Sequence, residues 1–250
     1  MTRVFAACFC MTLGITLAAG GATAQGLVAD MSSDSISITS NFTGQDILLF
    51  GAVDGPSDVV VVVEGPREDL VIRRKARVGG IWMNRQSVTF RDVPAYYAVA
   101  SSGPIQDIAA RAVRARHRMG GTYLDLDVKG DGPAMAPEEL AQFREAILRN
   151  KRRDDLYFEA EGSVRFRERL FRTSIVFPAN APEGDYTVHT YLLRGGAIVD
   201  QQSSPLAIRK AGLERTIFDL AHDHPALYGI IAIVIALASG WVAATAFRRS

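Results

Sequence analysis

The residues best equipped for chemistry in this chain are its arginines, whose planar guanidinium groups pair donors with carboxylate, phosphate or sulfate-like oxygens. They fall in three clusters. Arg111, Arg114, Arg116 and Arg118 lie close together, Arg149, Lys151, Arg152 and Arg153 form a second group, and Arg165, Arg167 and Arg169 occupy alternate positions. On a strand, alternate side chains share a face, so the last three are expected to line one surface. That surface is the candidate face for an anion, an anionic headgroup or a docking partner. Glu145, Glu159, Glu161 and Glu168 are interspersed with these clusters. They make a solvated mixed-charge face the plainer reading.

Other constellations fall short of a site. Asp125, Asp127 and Asp131 are spaced like the start of a calcium loop, but Lys129 stands where an oxygen ligand is required and Ala136 where the bidentate Glu belongs. A strand with Asp125 and Asp127 on one side and Leu124, Leu126 and Val128 toward a core explains the segment more simply. His222 and His224 flank Asp223, yet only His117 and His189 remain to complete a metal shell, and both are remote in sequence. Scattered serines and four histidines do not assemble into a nucleophile, base and orienting acid. The expectation is a binding protein rather than an enzyme, with no metal and no cofactor.

The elements that must position these residues are bracketed by two hydrophobic ends. Arg3 precedes the uncharged stretch Val4 to Ala19, and Ala22-Thr23-Ala24 has the small-x-small form a signal peptidase accepts, giving Gln25 as the new N-terminus. An uncleaved signal anchor is the alternative. A lipoprotein is disfavoured because Cys8 and Cys10 sit inside the apolar stretch. They are the only two cysteines, so cleavage would leave a body with no thiol. At the other end, Ala226 to Phe247 carries no charge. As a helix it would be roughly 33 Å long, enough for a ~30 Å hydrocarbon core. Tyr228 and Trp241 suit the two interfaces, and Arg248 and Arg249 form a short basic tail, 248–250, expected on the cytoplasmic side. Arg209, Lys210 and Arg215 flank the other end, so orientation rests on the leader rather than on the basic flanks. The expected location is the inner membrane, single-pass, with the body periplasmic.

Between the ends, Ser35-Ile36-Ser37-Ile38-Thr39 alternates as a half-buried strand does, and short apolar runs at 46–53, 59–63, 70–72, 87–90 and 96–100 are separated by glycine and proline turns. A short helix is expected over 104–117 and a strand over 123–128. Pro137-Glu138-Glu139 opens a helix to about Arg153, with Leu140, Phe143 and Ile147 on one face. Strands follow at 156–160, 164–176, 186–193, 197–199 and 205–209, with Gly195-Gly196 as a hairpin turn. The fold expectation is mainly β: two β-sandwich-like, Ig-like modules, 25–118 and 119–211, with short helical insertions, then a juxtamembrane segment 212–225 and the membrane helix. The net charge of +1 gives no reason to expect a nucleic-acid partner.

Several segments resemble the alphaproteobacterial transmembrane protein family: Gly79-Gly80-Ile81-Trp82-Met83-Asn84, Pro94-Ala95-Tyr96-Tyr97-Ala98-Val99-Ala100-Ser101-Ser102, Leu170-Phe171-Arg172 through Phe177-Pro178, and Ala181-Pro182-Glu183-Gly184-Asp185-Tyr186-Thr187-Val188. The resemblance covers essentially the whole chain. It implies a leader, a β-rich body and a C-terminal anchor, with no reaction and no catalytic residues. It also implies a partner class, permeases of the sulfite exporter type. The functional expectation is an accessory module docking on an integral membrane protein, and the alternative a periplasmic anion or small-ligand binder using the Arg165–Arg169 face.

Overall fold

A computed structural model describes residues 26–130, 135–211 and 220–247. The body is mostly strand, in three sheets, with a few helices. The outer sheet runs β1 (Leu27–Met31), β3 (Gly44–Val53), β11 (Leu170–Pro178) and β10 (Arg165–Arg167) in that spatial order. The central sheet runs β2 (Ser35–Ile38), β13 (Ala197–Lys210), β12 (Gly184–Arg194), β4 (Asp58–Glu64), β7 (Tyr97–Ser101) and β9 (Tyr157–Ala160). A third sheet is the long hairpin of β5 (Arg67–Val78) and β6 (Ile81–Pro94), with β8 (Asp127–Val128) on its edge.

Within the central sheet β4 and β7 are buried on both faces, and the sequence of β4 shows why. Val59 to Val63 is a continuous β-branched run, the pattern of a strand with no wet side. Val59, Val61 and Val63 join one core with Ile47, Leu49, Phe171, Ile175 and Phe177 of the outer sheet. Val60 and Val62 join a second core with Val88 and Phe90 of β6 and with Phe143 and Ile147 of α3 (Pro137–Arg153). Tyr96 and Tyr97 divide in the same way, one ring into each core. Leu140, Phe143 and Ile147 meet the second core as their spacing requires, and Lys151 continues that stripe.

The expected division near residue 118 is corrected by the pairing. β3 bonds to β11 from Leu170↔Ala52 to Pro178↔Gly44, and β4 lies between β12 and β7. Strands from both sides of residue 118 therefore share the same sheets and cores, so no boundary there separates two modules. Two local expectations also change. The 104–117 helix is two short ones, α1 (Ile105–Ile108) and α2 (Arg111–Arg116), interrupted where Ala109 bridges to Gly196. The expected 123–128 strand is a 3-10 turn, Gly121–Tyr123, followed by the short β8. Gly195-Gly196 does turn the β12–β13 hairpin, with φ of 59° and 83° that suit glycine.

The C-terminal helix α4 (Pro225–Phe247) contains an apolar span, Pro225–Ala244, of mean hydropathy 2.2. No part of that span is buried against protein, so it is not the core helix of a soluble fold. Tyr228 and Trp241 are both exposed on it, about 20 Å apart along the axis. The leader, Asp131, Arg215, Arg248 and Arg249 lie outside the described residues.

Candidate functional site

Strand alternation builds the site on the outer sheet. In β3, Ile47, Leu49 and Val53 point into the core, which turns Leu48, Phe50 and Ala52 outward. In β11, Phe171, Thr173, Ile175 and Phe177 point inward, leaving Leu170, Arg172, Ser174 and Val176 outside. β1 turns Val28 and Asp30 the same way. The register then stacks Val28, Ala52, Leu170 and Arg167 in one row across four strands, and Asp30, Phe50, Arg172 and Arg165 in the next. These residues line a groove of about 690 Å³. Its floor is apolar, with Val28 56 %, Phe50 43 % and Leu170 60 % exposed. Its rim carries three guanidinium groups against one carboxylate.

Gly51 makes the groove's underside possible. A Cβ there would sit 2.2 Å from the Val28 carbonyl oxygen and 2.6 Å from the Phe171 ring. β1 and Phe171 therefore approach β3 more closely than any side chain allows.

Of the three arginines expected on one face, Arg165 and Arg167 are there and Arg169 is not. The strand ends at Arg167, and Glu168-Arg169 form the turn to β11. Glu168 has φ +57°, and Arg169 reaches away to Asp54 at 3.4 Å. Nothing in Val164 to Val176 announces this turn, because the left-handed position is occupied by glutamate instead of glycine or asparagine. Arg172, directly across from Arg165, takes the missing place. Among the described residues, Arg165, Arg167 and Arg172 have no ion-pair partner. Leu48-Leu49-Phe50 is apolar in both phases of an alternating strand, which marks an apolar outer face on β3, but only the pairing brings Phe50 and Arg172 beside Arg165.

The other two basic clusters do not join this groove. Arg118, with φ +49°, donates to Glu64 at 3.1 Å and Asp125 at 2.9 Å. Burial pulls the Arg118 pKa down, but the charges and hydrogen bonds of Glu64 and Asp125 outweigh it and raise it overall. Beneath it the Tyr97 hydroxyl accepts the Gly120 N–H at 2.8 Å and donates to the Arg118 carbonyl. Lys151 donates to Glu68 at 2.7 Å and to the Ala95 carbonyl, and Arg152 pairs with Glu159 at 3.3 Å. These cations tie loops and helix ends to β4, β5 and β9. Their role is structural.

The Asp125–Asp127 segment is not the strand the simpler reading expects, but its alternation holds, with Leu124 and Leu126 buried and the aspartates turned to Arg118 and Arg91. His117 packs edge-on and His189 stacks against the Tyr191 ring, with His189 Nδ1 2.7 Å from the Ser203 hydroxyl. Both imidazoles are pushed below the usual histidine range, first by burial. Among the described residues no group of three or more His, Cys, Asp or Glu is placed to hold a metal ion.

The decisive comparison is with a family model described as "Putative transmembrane protein (Alph_Pro_TM)", which matches residues 26–249. The chain belongs to that family. The match runs through the β-rich body and α4, and the family's description fits membrane association of this chain through that one apolar helix. A search of curated proteins finds no match.

Proposed function

We propose that this family member is a non-catalytic accessory module, held at the inner membrane by α4, whose body docks through the outer sheet onto an integral membrane protein. In this reading the leader is cleaved after Ala24, the outer and central sheets form a β-sandwich, the body is periplasmic and Arg248-Arg249 are cytoplasmic. One observation carries it. Val28, Phe50 and Leu170 are turned to solvent beside Arg165, Arg167 and Arg172, and contiguous exposed apolar surface with a polar rim is the mark of an interaction site. The unpaired guanidinium groups favour a partner segment that presents carboxylates on an apolar backing. Sulfite-exporter-type permeases are the partner class that the family resemblance brings forward.

A photo-crosslinker placed at Leu170 in the full chain should give one adduct with a membrane protein. That adduct should disappear in Arg165→Glu/Arg167→Glu. Adducts at Leu170 matching those from Glu145, on α3, would sink the reading. The same groove favours a second reading, an organic anion with an apolar body. There, a long-chain carboxylate should raise the melting temperature more than sulfite, sulfate, phosphate or citrate, and the Leu170 adduct should not form.

A further inference from the structure

The β5–β6 hairpin outgrows the body it belongs to. Its base packs in the second core through Leu70, Ile72, Val88 and Phe90. Arg74 ties the stem to α3, donating to Gln142 and lying 4.8 Å from the centre of the Phe143 ring. Beyond Arg73↔Ser87 the two strands continue to Val78↔Ile81, roughly 17 Å further at strand rise. Gly79-Gly80 closes the tip at φ of 59° and 87°, and a Cβ added at either would meet nothing within 4 Å. Every residue from Gly79 to Arg85 is exposed, so both faces are bare. Ile81 is 68 %, Trp82 67 % and Met83 53 % exposed.

Charge along the distal part of the hairpin is one-signed. Between Val71 and Ser87 there are five basic residues, Arg73, Arg74, Lys75, Arg77 and Arg85, and no acidic one, in a chain whose net charge is +1. An apolar, tryptophan-bearing tip behind a cationic collar matches the two layers of an anionic bilayer surface: rings at the headgroup boundary, ammonium and guanidinium groups among the phosphates. Hairpin pairing already satisfies most backbone groups near the tip, which lowers the cost of entering that layer. A bilayer is also within reach. Fourteen residues separate Lys210 from Pro225, so the body cannot stand more than about 50 Å from the start of the membrane span.

We propose that the β5–β6 hairpin tip seats Ile81, Trp82 and Met83 in the headgroup layer of an anionic lipid bilayer, giving the body a second membrane contact. The proposal rests on membrane anchoring by α4 and not on docking at the groove, so loss of the Leu170 adduct leaves it standing. Trp82 is its own reporter. In the full chain, Trp241→Phe leaves Trp82 as the single tryptophan. Reconstituted in phosphatidylglycerol-rich vesicles, Trp82 should be quenched by brominated acyl chains and shielded from acrylamide. Each basic residue removed should lower the seated population about fivefold, the equivalent of ~1 kcal/mol per charge at an anionic surface. Lys75→Gln/Arg85→Gln and pure phosphatidylcholine vesicles should therefore both weaken the quenching. Trp82 that stays open to acrylamide, or quenching indifferent to lipid charge and to both substitutions, overturns the proposal. So does a photo-crosslinker at Met83 that captures protein in place of lipid.

Discussion

Arg165→Glu should stabilise the body, because it removes a like-charge pair at the groove. Arg165 and Arg172 are direct cross-strand partners, and like charges in that relation repel. With opposing Cβ atoms ~5 Å apart, the guanidinium groups sit about 6 Å apart. In water that repulsion is about 0.7 kcal/mol, cut to about 0.3 kcal/mol by a Debye length of about 8 Å. Arg167, two residues along the same strand, adds about 0.2 kcal/mol at ~7 Å. Reversing one charge changes the sign of both interactions, a swing of roughly 1 kcal/mol. For a body of this size that corresponds to a melting temperature about 2–4 °C higher. Near-UV circular dichroism of the full chain in neutral detergent reads it directly, because the buried tyrosines report tertiary packing. In 1 M salt, where the Debye length is about 3 Å, most of the gain should vanish. A variant that melts below the parent at low salt, or a gain that survives high salt, refutes the picture of uncompensated cations at the groove.

Gly51→Ala should destabilise the body by about 3 kcal/mol or more, since the new methyl meets a backbone oxygen and a packed ring that cannot both retreat; urea unfolding would show it. Tyr97→Phe strips partners from the Gly120 N–H and the Arg118 carbonyl. A loss of roughly 2–4 kcal/mol in the same assay is expected. His117 and His189 both have lowered pKa values in the folded state, so the unfolded chain binds more protons. Their stabilisation is complete above the ordinary histidine pKa near 6.5 and is lost as pH falls through the lower folded values. The urea midpoint should drop across that window, and by less in His189→Gln.

How far the sequence could be read depended on whether a signal was local. Ser35-Ile36-Ser37-Ile38 and the Leu140, Phe143 and Ile147 stripe announce their own periodicity, and both elements form as read. The Glu168-Arg169 turn does not, because glutamate in a left-handed conformation leaves no compositional mark, and Arg169 was misplaced onto the face as a result. The groove was half legible: Arg165 and Arg167 by alternation, Arg172 and Phe50 only through pairing with β10 and β1.

By itself the sequence determined the mostly β character of the body and the long apolar helix at its end, since each follows from hydrophobic period and run length within a few residues. The tertiary structure decided the rest. Residues before 54 and after 164 meet across the outer sheet, and five consecutive valines serve two cores, because strand pairing joins segments by backbone hydrogen bonds that no local pattern specifies. For the same reason only the fold separates the cations that brace loops, Arg118 and Lys151, from those left open on the groove.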